Sequence, residues 1–155
     1  MTTKPRILKE KLPRTAWLWQ YFKAGDFIDG YAVASPLSAR DAADIGFRMP
    51  GWATALLKLR NLAVRPFGLR TERPEDMAGI GLFPIEHERS GEIVLGFDDR
   101  HLNFRIGILG DGTMIRMGTW VRPHNIAGRL YLACVMPFHI LIVRNAMARI
   151  GRATA

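Results

Sequence analysis

Between Asp98 and Ile150 the chain passes through two alternating apolar-polar stretches joined by an Asp-Gly pair. It then enters a long, almost wholly apolar segment interrupted by Pro137. From His101 to Leu109 the alternation puts Leu102, Phe104, Ile106 and Ile108 on one face and His101, Asn103, Arg105 and Gly107 on the other, the period of a half-buried strand. Asp111 and Gly112 suit a two-residue type I′ hairpin turn, which needs positive φ at both central residues. The partner strand then starts at Thr113. This register sets Phe104 opposite Thr119, Ile106 opposite Met117 and Ile108 opposite Ile115, so one face is apolar but for a threonine. The other gathers His101, Asn103, Arg105, Arg116, Trp120 and Arg122. A slip of one residue would mix the two faces, which a half-buried sheet disfavours.

After Pro123, His124 and Asn125 a helix is expected from about Ile126 to Ile150. At the helical rotation, Arg129, Ala133, Pro137, Ile140, Arg144 and Gly151 share one stripe. Leu132, Val135, His139, Val143 and Ile150 lie on the opposite, core-facing side. Pro137 removes a backbone donor and is expected to bend the helix. A bent apolar helix laid on a twisted sheet leaves space between the two, and this space is the expected pocket.

The length suits one domain with a real core. Residues 1–13 read as a flexible basic segment and 14–155 as a single domain. The lone cysteine, Cys134, excludes an intrachain disulfide and a thiol-rich metal cluster, which fits a reducing cytoplasm. No leader with a cleavable apolar region is read at the N-terminus. The longest uncharged apolar run, Leu130 to Val143, is short of the ~20 residues a spanning helix needs. The formal net charge of +8 permits weak contact with an anionic membrane surface. No nucleic-acid motif accompanies the charge, so a solvated basic surface is the plainer expectation. Homodimerisation is compatible with the composition.

Along the chain, the aromatic run Ala16 to Phe22 is expected to pack on the domain rather than lie in a membrane interface. Asp26 to Ala34 reads as a strand with a close approach or bulge at Gly30. Ser38 is an N-cap candidate with Asp41 three residues on. A second helix runs from Trp52 to about Val64, with an apolar stripe through Trp52, Leu56, Leu57, Leu59 and Ala63 and with Lys58 and Arg60 pointing away. Thr71 to Gly79 is read as a polar loop. Strands at about Leu82 to Glu88 and Glu92 to Asp98 follow, joined at Ser90 and Gly91, with Pro84 making the first an edge strand or shortening it. Together these predict an α+β domain: a curved antiparallel sheet of about five strands, two short helices, and a long C-terminal helix on one face. The order resembles the helix-grip arrangement of the START and Bet v 1-like superfamily.

A closer resemblance rests on residues. Gly96, Phe97, Asp98, Asp99, Arg100, His101, Leu102, Asn103, Phe104 and Arg105 are followed by Arg122, Pro123, His124 and Asn125. Beyond them come Gly128, Arg129, Leu130, Tyr131 and Leu132, then Pro137, Phe138 and His139. With Asp26, Ala32, Trp52 and Arg65 to Leu69, this combination resembles the bacterial domain-of-unknown-function family numbered 2867. The resemblance supports the fold and implies no established activity.

Three functions follow as expectations. In the first, an uncharacterised domain binds a small apolar or lipid-like molecule between the C-terminal helix and the sheet. Thr119, Tyr131 and His139 then supply the few polar groups such sites carry. In the second, a cyclase, isomerase or hydrolase-like enzyme uses His101 or His139 as general base. Asp98, Asp99, His101 and Arg105 are the richest polar cluster, but no nucleophile motif accompanies them. In the third, the face carrying His101, Arg105, Trp120 and Arg122 docks a partner or second copy, with Arg105 stacked near Trp120. The four histidines lack metal-ligand spacing, the glycines from Gly107 to Gly112 lack a phosphate-loop lysine, and neither metal nor cofactor is expected.

Overall fold

The computed structural model describes residues 3–68, 78–81 and 83–153. Most of the expected Thr71–Gly79 loop, and Leu82 at the start of the next expected strand, lie outside the described residues. The strands are β1 (Leu8–Lys9), β2 (Phe27–Ile28), β3 (Tyr31–Ala34), β4 (Gly79–Ile80), β5 (Phe83–Arg89), β6 (Glu92–Asp98), β7 (Leu102–Gly110) and β8 (Met114–Pro123). The helices are α1 (Ala39–Gly46), α2 (Gly51–Val64) and α3 (Ile126–Arg152). The strands form one antiparallel sheet in the order β1-β3-β8-β7-β6-β5-β4, and β2 also pairs with β8. The domain is α+β, with more strands than expected. The Asp26–Ala34 strand is broken in two at Asp29 and Gly30, and short strands are added at both ends of the sheet. Gly30 is a close approach, because a Cβ there would overlap the Glu10 carbonyl. Pro84 is not on an edge strand: β4 pairs beyond it, Gly79 opposite Pro84.

The β7–β8 register differs from the expected one by two residues. Phe104 faces Val121, Ile106 faces Thr119, Ile108 faces Met117 and Gly110 faces Ile115. Gly112 has φ 88° and Asp111 is not at positive φ, so Asp111 cannot be the first residue of a type I′ turn. Asp111 instead caps the turn, its Oδ1 accepting from the Thr113 and Met114 N–H groups at 2.9 and 2.8 Å. Because side chains alternate with period two, a two-residue offset leaves every residue on its expected face.

The front face of the sheet carries the main core. Tyr31, Val33, Ile93, Leu95, Ile108, Ile115 and Met117 pack against Ala39, Ala42 and Ala43 of α1 and Val143, Met147 and Ile150 of α3. Ser38 caps α1 by accepting from the Asp41 N–H at 3.0 Å. Asn125 caps α3 through the Gly128 N–H at 2.9 Å. A Cβ on Gly128 would overlap the His101 carbonyl, so glycine lets the helix start against the β6–β7 loop. The expected buried stripe of α3 holds in its second half, where Val143, Ala146, Met147 and Ile150 are buried. In the first half much of the surface is exposed: Ile126, Leu130 and Phe138 face out, as does Leu141 just beyond. By length and composition α3 could cross a membrane, and 11% of its most apolar window is buried.

The back face is covered rather than open. Gly107 and Gly118 lie opposite each other, and Leu12 and Leu18 pack on the floor they leave: a Cβ on Gly118 would overlap the Leu12 side chain, and one on Gly107 would touch both leucines. Leu12, Ala16, Leu18 and Trp120 form a second core, joined by Trp19, Tyr21 and Phe22, so the aromatic run packs on the domain. Within segment 1–13, Leu8 and Lys9 pair with Ala32 and Tyr31, and Leu12 is buried. Trp120 is only 2% exposed. The face proposed for docking through Trp120 and Arg105 is therefore an internal layer. Nor does Arg105 stack on Trp120: it lies over Tyr21, while Arg122 lies over Trp120.

Asp26 pins this layer. Its carboxylate accepts from the Trp120 indole at 2.9 Å and from Arg122 Nε and Nη2 at 3.0 and 2.6 Å. Burial works to raise its pKa, but Arg122, the Lys23 N–H and the Trp120 indole outweigh burial and hold it at about 2, against an ordinary 3.8. A carboxyl depressed by folding adds stability that is complete above its unfolded pKa and is lost as pH falls through its folded one. The wild-type urea midpoint is therefore expected to fall between about pH 4 and pH 2. Asp26→Asn should be less stable by about 1.5–3 kcal/mol at neutral pH and show a shallower fall in that window.

Candidate functional site

Between α2, α3 and the front of the sheet lies a cavity of about 500 Å³, within the range of small-molecule sites. Its walls are mostly apolar: Leu56 and Leu57 of α2, Phe104, Ile106 and Val121 of the sheet, Val135 and Ile142 of α3. It forms because α1 and the second half of α3 fill the front face near Ile108 and Ile115, while α2 covers the neighbouring part more loosely. Of the fourteen α2 residues, Ala53 and Val64 are buried. A groove of about 610 Å³ lies on the other side of Phe27, bordered by Lys9, Lys11, Tyr31 and Ile140. The inner cavity is the better candidate, because polar groups converge on an apolar enclosure there.

Thr119, Tyr131 and His139 all line this cavity. Thr119 is 5% exposed, and its Oγ1 has no hydrogen-bond partner, although buried hydroxyls ordinarily find one. The Tyr131 hydroxyl accepts from Arg60 Nε at 2.7 Å, and the guanidinium also lies over the ring. Arg60 therefore reaches into the site rather than pointing away from it.

His139 is held by a residue the sequence reading did not single out. Its Nε2 is 2.9 Å from Asp29 Oδ2, and a carboxylate can only accept, so Nε2 carries a proton and Nδ1 is left to face other partners, as an acceptor when the ring is neutral and a donor when it is charged. Asp29 Oδ1 accepts from the Thr119 N–H at 2.9 Å, and the Asp29 N–H donates to the Thr119 carbonyl at 3.0 Å. One buried carboxylate thus joins the break between β2 and β3, strand β8 and helix α3. Asp29 lines the outer groove and not the cavity, so it stands behind His139 as an orienting group. Burial, then the Asp29 carboxylate, push the neighbouring Tyr31 hydroxyl upward, against a smaller opposing effect of Arg144. In the sequence Asp29 is marked only by its place beside Gly30 inside the expected strand; its two partners are distant in the chain.

The other expected cluster is dispersed. Arg105 is buried on the back of the sheet, paired with Asp98 at 2.9 Å and Glu86 at 3.4 Å, and donating to the Phe104 carbonyl at 2.8 Å. Trp120 belongs to the second core. His101 Nδ1 is 3.0 Å from Asn125 Nδ2 beside the α3 cap. Asp99 lines the cavity, its Oδ1 accepting from the Arg100 N–H at 2.7 Å. Arg105 and Asp98 thus pair with each other, while Asp99 lies at the cavity and His101 beside the α3 cap. Among the described residues, no three His, Cys, Asp or Glu side chains are grouped to hold a metal ion.

The Asp29 fork makes a separable prediction. Asp29→Ala orphans the buried Thr119 N–H and is expected to cost about 1–3 kcal/mol. Asp29→Asn keeps an acceptor for that N–H and should cost less. Equal losses in urea denaturation would show that the fork carries no weight.

Comparison with curated proteins and with solved structures finds no match to either. A family profile described as "Protein of unknown function (DUF2867)" matches residues 22–146, from just before β2 to the core-facing end of α3. That span takes in Asp29, Thr119, Tyr131 and His139, and the chain belongs to this family.

Proposed function

We propose that the protein binds a small, largely apolar molecule carrying at least one polar group, seated in the cavity between α2, α3 and the sheet. The observation that carries this reading is Thr119, a residue of the wall of a mostly apolar cavity of about 500 Å³ whose hydroxyl is buried and has no hydrogen-bond partner. His139 and Tyr131 stand on the same walls. An unmet polar group in an apolar cavity is stabilised by a ligand that meets it, and this is how such sites gain orientation as well as affinity. An antiparallel sheet with a long C-terminal helix packed on one face supports the reading of a helix-grip-like ligand-binding domain. A reducing, cytoplasmic setting suits the single exposed cysteine, Cys134.

A second reading, an enzyme, is favoured by one observation: the 2.9 Å Asp29–His139 pair, a carboxylate-oriented imidazole at the cavity wall. Such a pair can move a proton to or from a bound molecule. His139→Ala would then abolish turnover of an identified ligand while leaving it bound; His101, away from the cavity, would be dispensable.

The binding reading is tested by native mass spectrometry of gently purified protein with extraction of any retained molecule. Retention of an apolar compound is expected. Thr119→Val removes the unmet hydroxyl at nearly constant shape. It should leave stability unchanged or raise it by about 1–2 kcal/mol, while weakening the extracted ligand roughly tenfold. A variant that is less stable and binds equally well would refute the role given to Thr119.

A further inference from the structure

We propose that the helical face around the cavity mouth is a peripheral docking surface for an anionic phospholipid bilayer. Two apolar stripes flank that mouth. On α3, Ile126, Leu130, Cys134, Phe138 and Leu141 follow one another at helical spacing and are exposed, and Cys134 and Phe138 also line the cavity. On α2, Trp52, Leu59 and Leu62 do the same at 40%, 62% and 69% exposure, with Leu59 at the cavity. Scattered exposed apolar residues are ordinary, but two continuous stripes beside an apolar opening are the pattern of an interaction surface.

The charge of this face selects the occupant. Neither α2 nor α3 contains a single Asp or Glu. From Arg48 to Gly68 the sequence has Arg48, Lys58, Arg60 and Arg65 and no acid, and from Arg122 to Ala155 it has five arginines and no acid. Arg48, Lys58, Arg65, Arg129 and Arg144 are exposed. Two apolar helices that carry cations and no carboxylate, with Asp99 the acid among the described residues lining the cavity, repel a second copy of themselves and complement a sheet of anionic headgroups over hydrocarbon. The mode is peripheral. Val143, Met147 and Ile150 of α3 belong to the main core, so the helix cannot enter a bilayer along its whole length without dismantling the domain. The inference stands whether or not the cavity holds a ligand.

The test is co-sedimentation with vesicles of phosphatidylcholine alone and with one-third phosphatidylglycerol. Wild type is expected to bind the anionic vesicles, more weakly as salt rises, and to bind the neutral ones little. Leu62→Glu combined with Leu130→Glu should lower partitioning at least ~tenfold. Lys9→Glu, which lowers net charge equally from β1, should change it by less than ~twofold. Independently of any change in folding, wild-type tryptophan emission should be quenched by brominated lipid, and Trp52→Phe should remove most of that quenching. The proposal is overturned by absent binding to anionic vesicles, by equal loss in the double variant and Lys9→Glu, or by quenching that survives Trp52→Phe. It is equally overturned if light scattering shows a dimer that the double variant dissociates, which would assign the face to self-association.

Discussion

Pairing of β7 with β8 divides the molecule into its two halves. Alternation along these strands sends Phe104, Ile106, Thr119 and Val121 to the helical side and Arg105, Gly107, Gly118 and Trp120 to the other. The main core, the cavity and the seat of α3 all follow from the first set. The second set supplies the glycine floor and the indole on which the N-terminal segment rests. A register changed by an odd number of residues would exchange these roles and place arginine where the cavity wall must be apolar.

Parity also explains what could be read in advance. The turn was misplaced because Asp-Gly resembles the central pair of a type I′ turn, whereas Asp111 acts through its side chain as a cap and glycine is needed one step later. The resulting error of two residues changed every cross-strand partner and no residue's face. Thr119 and His139 were therefore placed on the correct walls from alternation and helical spacing alone. Tyr131 followed from the same helix.

What stayed hidden depended on contacts far apart in sequence. Asp29 is separated from Thr119 by 90 positions and from His139 by 110, and no local pattern announces a carboxylate that serves both. The covering of the back face was equally obscure. Residues Leu12 to Phe22 have no strong period, and their packing depends on two glycines that meet only after the hairpin closes. Arg105 and Trp120 looked like surface because the sheet was assumed to be half solvated; a third layer removes that assumption. Arg60 escaped notice because a cation on an apolar helix is ordinarily solvated, whereas here a phenol hydroxyl accepts from it.

The two helices that enclose the cavity are unequally secured. α3 ends in the main core, whereas α2 presents two buried residues out of fourteen and meets α3 through the Arg60–Tyr131 bond. The wall least supported by its own packing thus borders the space a guest would fill. Any free energy of occupancy would pass first into the ordering of that wall. Backbone amides from Gly51 to Val64 would then record the presence of a guest more sensitively than those of the sheet beneath them.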